Sequence, residues 1–138
     1  MFLDFRHGLL AFAHLSLAIG PRFGRYRDGF RFGHLGAALV EREDLARFRG
    51  KVYNVVGYHV LPWTHAIQAA SSMMRRALDL AQEKGDLLYV VYCQAQLISL
   101  GLASGVPLDD LQAEAERYLR STQLVLRIVW ESGPPVVL

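Results

Sequence analysis

The chain has 138 residues, enough for one domain, and a formal charge of +2, too small to draw it to nucleic acid or an anionic membrane by bulk electrostatics. Hydrophobic residues make up 52% and charged residues 20%, which excludes a disordered chain and requires extensive burial. A single cysteine, Cys93, excludes an internal disulfide framework and suits a reducing cytoplasm.

The first predicted helix runs from about Leu3 to Ile19 and stops at Gly20-Pro21, a residue that accepts positive φ followed by one that cannot continue the ladder. Its apolar residues, among them Phe5, Leu9, Leu10, Phe12, Leu15 and Ile19, go nearly all the way round. Such a helix is either covered on most sides or missing its cover. Asp4, Arg6, His7 and His14 interrupt it and no small-residue cleavage site follows, so it does not read as a signal peptide. The second helix, about Arg25 to Glu43, places Tyr26, Phe30, Gly33, Ala37 and Val40 on one stripe and Phe32, Leu35 and Leu39 on another. Gly29, Gly33 and Gly36 each cost about 1 kcal/mol relative to Ala in a helix, and close approach of a neighbouring helix is the natural compensation.

A third helix, about Asp44 to Leu61, carries Leu45, Phe48, Val52, Val55, Val56 and Val60 and must stop near Pro62. In the fourth, Thr64 to Lys84, Ile67, Ala70, Met73, Met74, Ala77, Leu78 and Ala81 form an apolar face. Ser72, Arg75, Arg76, Asp79, Gln82 and Glu83 form a polar one, with Thr64 as N-cap and Gly85 at the C-terminal turn. The segment Leu87 to Leu108 has no charged residue and is about long enough to cross a bilayer. Gln94 and Gln96 near its middle, and the lack of flanking Lys or Arg clusters, favour a central buried helix over a membrane span. This fifth helix covers about Asp86 to Ala103. The sixth opens at Pro107 with Asp109 and Asp110 in its first turn, and Leu111, Ala115, Tyr118, Thr122, Val125 and Val129 recur at helical spacing up to Gly133-Pro134-Pro135.

Catalytic and cofactor signatures are absent. His7 and His14 lie two turns apart, about 10 Å, too far to share a metal without further ligands, and no histidine pair has i, i+4 spacing. The glycines from Gly20 to Gly36 form neither a Walker loop nor GxGxxG. Arg22, Arg25, Arg27 and Arg31 alternate with Phe23, Tyr26, Phe30 and Phe32 in a pattern superficially like an RNA-stacking surface, but on a helix the arginines fall on the solvated side. Cys93, inside an apolar helix, reads as an inert buried thiol. No cofactor and no catalytic residue is expected.

Paired in sequence, the six helices give three units of about 40 residues, roughly 3–42, 44–84 and 87–131, the size of helical-hairpin repeats. The segments RYRDGFRFGHLGAAL (25–39), GDLLYVVYC (85–93) and GVPLDDLQAEAERYL (105–119) carry a resemblance that spans most of the chain. The chain resembles the tetratricopeptide-like helical region of very large bacterial signalling proteins. These join a serine/threonine kinase-like domain, an AAA-type ATPase, this region, a GAF domain and a histidine kinase. Tyr53, Val56, Gly57 and Val60 fit the ladder of a first repeat helix, and Ala70, Met74 and Ala77 that of a second. The resemblance implies an all-α, tetratricopeptide-like hairpin array over 1–138, an excised internal piece of a larger cytoplasmic protein. It would act as a non-catalytic protein-interaction or scaffold module between ATPase and kinase portions, with protein as its partner and neither nucleic acid nor membrane.

Two other classes remain open. One is a ligand-sensing domain holding a small apolar molecule between helices, for which Asn54, His59, Gln94 and Gln96 are the candidate polar groups. The other is a helical enzyme, which requires several histidines and carboxylates to converge. Uncapped apolar ends at the first and last helices further predict a homodimer of the isolated chain.

Overall fold

The structure, a computed structural model, describes residues 5–131 and every side chain among them except those at 5–7, 9 and 129. Six α-helices follow one another: α1 (Phe5–Phe23), α2 (Tyr26–Leu39), α3 (Arg49–His59), α4 (Ile67–Lys84), α5 (Leu87–Ser104) and α6 (Leu108–Glu131). Short 3-10 segments at Glu43–Phe48 and Leu61–Trp63 bracket α3, and no strand occurs among the described residues. The described residues are all-α with six helices, as the periodicities predict. The sequence expectations that fall on His7, Phe5, Leu9, Val129 and Gly133-Pro134-Pro135 lie outside what is described.

The first helix does not stop where expected. α1 runs through Gly20-Pro21 to Phe23, with Pro21 inside its last stretch. A proline's φ suits a helix, and its missing N–H forfeits one ladder bond; near an end that loss is tolerable. The reversal falls instead at Gly24, whose φ of +67° is open only to glycine at little cost. α2 then packs against α1 through small residues on both sides. Ala13, Ser16 and Gly20 are buried on α1, and Gly29, Gly33 and Gly36 on α2. A Cβ at Gly29 would stand 3.0 Å from the Ser16 carbonyl oxygen and 3.3 Å from the Gly20 nitrogen, so the two backbones touch there. The three glycines thus recover their helix-propensity cost through interhelical approach.

Leu10 and Leu17 on α1 pack against the core, Phe12 stacks on Phe32 of α2 with ring centroids 6.3 Å apart, and α1 also contacts α3. The first helix therefore has cover within the chain, and Leu15 and Phe23 are the exposed large apolar residues among its described side chains.

The centre of the molecule is α3. It touches α1, α2, α4 and α5, and six consecutive residues from Val52 to Gly57 are buried. This corrects the expectation that the uncharged fifth helix is the central buried one. By length and composition α5 could cross a bilayer, yet only 22% of it is buried. Hydropathy follows the apolar content of a helix, not the number of its neighbours. α3 carries charges at its first turn, Arg49 and Lys51, but every side of its middle is covered.

α4 has the faces its pattern predicts: Ala70, Met74, Ala77, Leu78 and Ala81 are buried, while Ser72, Arg75, Arg76, Asp79, Gln82 and Glu83 are exposed. Thr64 is not its N-cap. Ala66 holds that position without a side-chain bond, and the Thr64 hydroxyl donates back to the Val60 carbonyl at 3.2 Å, closing the 3-10 turn. Gly85 (φ +66°) and Gly105 (φ +76°) end α4 and α5 in left-handed turns, and Asp86 caps α5 by accepting from the Tyr89 N–H at 3.4 Å.

Candidate functional site

The four candidate polar residues do not converge. Asn54, on the buried middle of α3, donates through Nδ2 to the Cys93 sulfur at 3.3 Å and to Gln96 Oε1 at 2.5 Å, tying α3 to α5. Burial pushes the Cys93 thiol above its ordinary pKa, so the sulfur in this contact is a neutral thiol. His59, at the C-terminal end of α3, is half-buried, and its imidazole is held below its usual pKa first by burial and then by His14 of α1. Gln94 lies on the opposite side of α5 from Gln96. Asn54 and Gln96 form one structural clasp, whereas His59 and Gln94 belong to separate places in the fold.

Gln94 leads to the feature that sequence reading missed. It is buried between α5 and α6, where its Nε2 donates to Ser121 Oγ at 3.4 Å and its Oε1 accepts from Thr122 Oγ1 at 3.2 Å. These bonds set the relative height of the two antiparallel helices. On one side of them α5 and α6 are close: a Cβ at Gly101 would fall 2.5 Å from Leu111 Cδ1, so the absent side chain makes room for the leucine. On the other side the helices enclose a groove of about 360 Å³ lined by Leu87, Val90, Val91, Val125 and Leu126, with Gln94, Ser121 and Thr122 as its polar wall and Gln82 and Gly85 at its end. A volume of this size, apolar with a few fixed polar groups, is in the range of small-molecule pockets.

A second cluster clasps α6 to α4. Arg75 donates to Glu114 Oε1 at 3.0 Å, and the Tyr118 hydroxyl donates to the same oxygen at 2.6 Å. Burial disfavours the Glu114 charge, but the Tyr118 and Arg75 hydrogen bonds outweigh it and hold the carboxyl below its usual range. Tyr118 is pushed up to about 12, first by burial and then by its bond to Glu114. Arg75, which the sequence places on the polar face of α4, therefore holds a carboxylate whose side chain is only 14% exposed. The signal was available in Glu114 and Tyr118 at i, i+4 on α6, but their cross-helix partner was not.

An extended exposed feature of the last hairpin is apolar. Leu88, Val91, Tyr92 and Leu102 on α5, and Leu108, Leu119, Leu126 and Trp130 on α6, are 41–87% exposed. Helical phase puts the α5 stripe a quarter turn from the side that faces α6, and the α6 stripe a quarter turn from the side that faces α5. Because the helices are antiparallel, both stripes point to the same side of the hairpin, away from α3 and α4. Among the described residues no group of three His, Cys, Asp or Glu is disposed to hold a metal ion. The Arg25 and Arg31 side chains pair with Asp28 at 2.8 and 3.5 Å on the solvent side of α2, while Tyr26 stacks on Trp63 and Phe30 on His34. No family model, no curated protein and no solved structure matches this chain.

Proposed function

We propose that the chain is a non-catalytic protein-interaction module built as a tetratricopeptide-like array of three helical hairpins. The observation that carries the reading is the contiguous apolar face of the α5–α6 hairpin, larger than a surface without a partner ordinarily leaves in water. The packing order supports the array: α1 contacts α2 and α3, α2 contacts α3, α3 contacts α4 and α5, and α4 contacts α5, so each hairpin leans on the first helix of the next. The middle unit supports it further, since Tyr53, Val56, Gly57 and Val60 of the first ladder and Ala70, Met74 and Ala77 of the second are buried against each other. By the resemblance of its motifs, the module serves a cytoplasmic bacterial histidine kinase of the composite type, passing a partner's signal between neighbouring domains; the kinase chemistry belongs to the parent protein.

Two measurements test this. In a nearest-neighbour array, Leu111→Ala raises amide exchange in α5 and α6 and leaves α1 and α2 unchanged; uniform loss of protection contradicts the array. An apolar-surface dye binds the dilute chain and is lost in Leu119→Glu; dye binding that ignores Leu119 contradicts the docking face.

The groove favours a second reading, a sensor for a small apolar molecule, because Gln94, Ser121 and Thr122 sit together at its wall. That reading requires saturable binding of a short aliphatic amide or acid that weakens in Gln94→Leu.

A further inference from the structure

We infer that the partner of the α5–α6 face is a second copy of this chain, joined about a two-fold axis so that two hairpins make a four-helix bundle. This inference rests on the interaction-module reading above and adds the partner's identity.

The face has the symmetry such a bundle needs. On α5, Leu88 and Leu102 lie seven residues either side of Ala95, about two turns each way, and all three are exposed. If α5 meets its copy antiparallel with Ala95 at the axis, Leu88 of one protomer falls opposite Leu102 of the other. On α6, Leu119 and Leu126 are equidistant from the Thr122–Gln123 peptide, so an antiparallel pair centred there sets Leu119 against Leu126. An isologous bundle requires both seams to share one axis. They do: the bonds from Gln94 to Ser121 and Thr122 put the middle of α5 and the middle of α6 at the same height.

Charge lies beside the same seam. The register sets Glu116 opposite position 129 of the second copy, two residues and about 3 Å of helix rise from Arg127, an offset that these two long side chains can span, and by symmetry the pair occurs twice. Within the protomer Glu116 approaches Arg120 only to 3.9 Å with both side chains more than half exposed, and Arg127 has no ion-pair partner among the described residues. Each of the exposed large side chains presents on the order of 100 Å², which brings the face to roughly the 800 Å² per partner of a standard interface. α5 contributes no charged side chain to it.

The test uses the full chain. Ala95→Cys, at the axis, should give a covalent dimer under mild oxidation at low micromolar concentration, because the two Cα atoms come within disulfide reach. Ala113→Cys, exposed on the far side of α6, should not, and native Cys93 is buried and silent. Sedimentation should give a dimer at ~100 μM. Glu116→Arg and Arg127→Glu should each weaken it by tenfold or more, and the double swap should recover most of the loss, with helicity unchanged in all three. A dimer indifferent to the swap, or equal cross-linking at 95 and 113, overturns the inference. A monomer that binds the apolar dye through Leu119 overturns the second copy and keeps the docking face. A monomer that binds no dye overturns both, and one that associates with neutral phosphatidylcholine vesicles through Leu119 replaces protein by membrane.

Discussion

The first and last hairpins each pair two consecutive helices but close in opposite ways. In α1–α2 the contact is backbone on backbone: Gly29 lies against the Ser16 carbonyl and Gly20, and nothing there can move without separating the helices. In α5–α6 the corresponding close point, Gly101, meets only the end of the Leu111 side chain, and beyond Gln94 the helices enclose a groove. Small residues on both helices exclude other occupants and make a finished hairpin. A small residue on one helix, facing a long side chain, leaves a face and a groove to be filled.

The same substitution should therefore act differently in the two hairpins. Gly29→Ala must push backbone from backbone and is expected to destabilise by about 2 kcal/mol or more, despite the ~1 kcal/mol that alanine returns in helix propensity. Gly101→Ala needs only a rotation of Leu111 and should fall within about 1 kcal/mol of the parent. Equal losses in thermal melts would erase the distinction between the two contacts.

Between the hairpins, Asn54→Ala removes the donor that reaches Cys93 and Gln96 and should cost about 1–3 kcal/mol. Arg75→Ala unties the clasp on α6 and leaves Glu114 with Tyr118 alone. Arg75 is 58% exposed, so screening limits the loss to about 0.5–1 kcal/mol. A double-mutant cycle with Glu114→Gln should show coupling, and additivity would mean the clasp contributes nothing.

pH should separate the two ends with smaller effects. Folded His59 has a lowered pKa, so its contribution is complete above about pH 6.5 and is lost as pH falls through the folded value. At the other end Glu114 contributes above about pH 4.3 and loses that as pH falls through its depressed pKa. Tyr118 contributes below about pH 10 and loses it as pH rises through about 12. Melting temperature between pH 7.5 and 5.5 should thus decline in the parent and flatten in His59→Gln; an unchanged slope would exclude His59.

The helices were legible in the sequence because α4 and α6 alternate polar and apolar residues at helical period, and because Gly85 and Gly105 end helices as glycines do. The close approach of α2 was legible in its three glycines. The Gly20-Pro21 stop was misread because the turn needed the positive φ of Gly24. The site was less legible. Asn54 and Gln96 meet, but pattern cannot tell that Gln94, two residues away, turns to the other side and joins Ser121 and Thr122. The α5–α6 face was hidden in plain hydropathy, since an apolar helix surface reads alike whether it is buried or waiting for a partner.

The most direct test of that asymmetry uses the two tryptophans, one near each end. Trp63 stacks on Tyr26 of the first hairpin with centroids 5.6 Å apart, and Trp130 on α6 is 87% exposed. In Trp63→Phe, Trp130 emission should move to the blue and become shielded from iodide as concentration rises from about 1 to 100 μM, because the two-fold pairing sets it against Ala115 of the second copy. In Trp130→Phe, Trp63 should not respond. Concentration-dependent shielding of Trp63, with Trp130 remaining open to solvent throughout, would contradict the account.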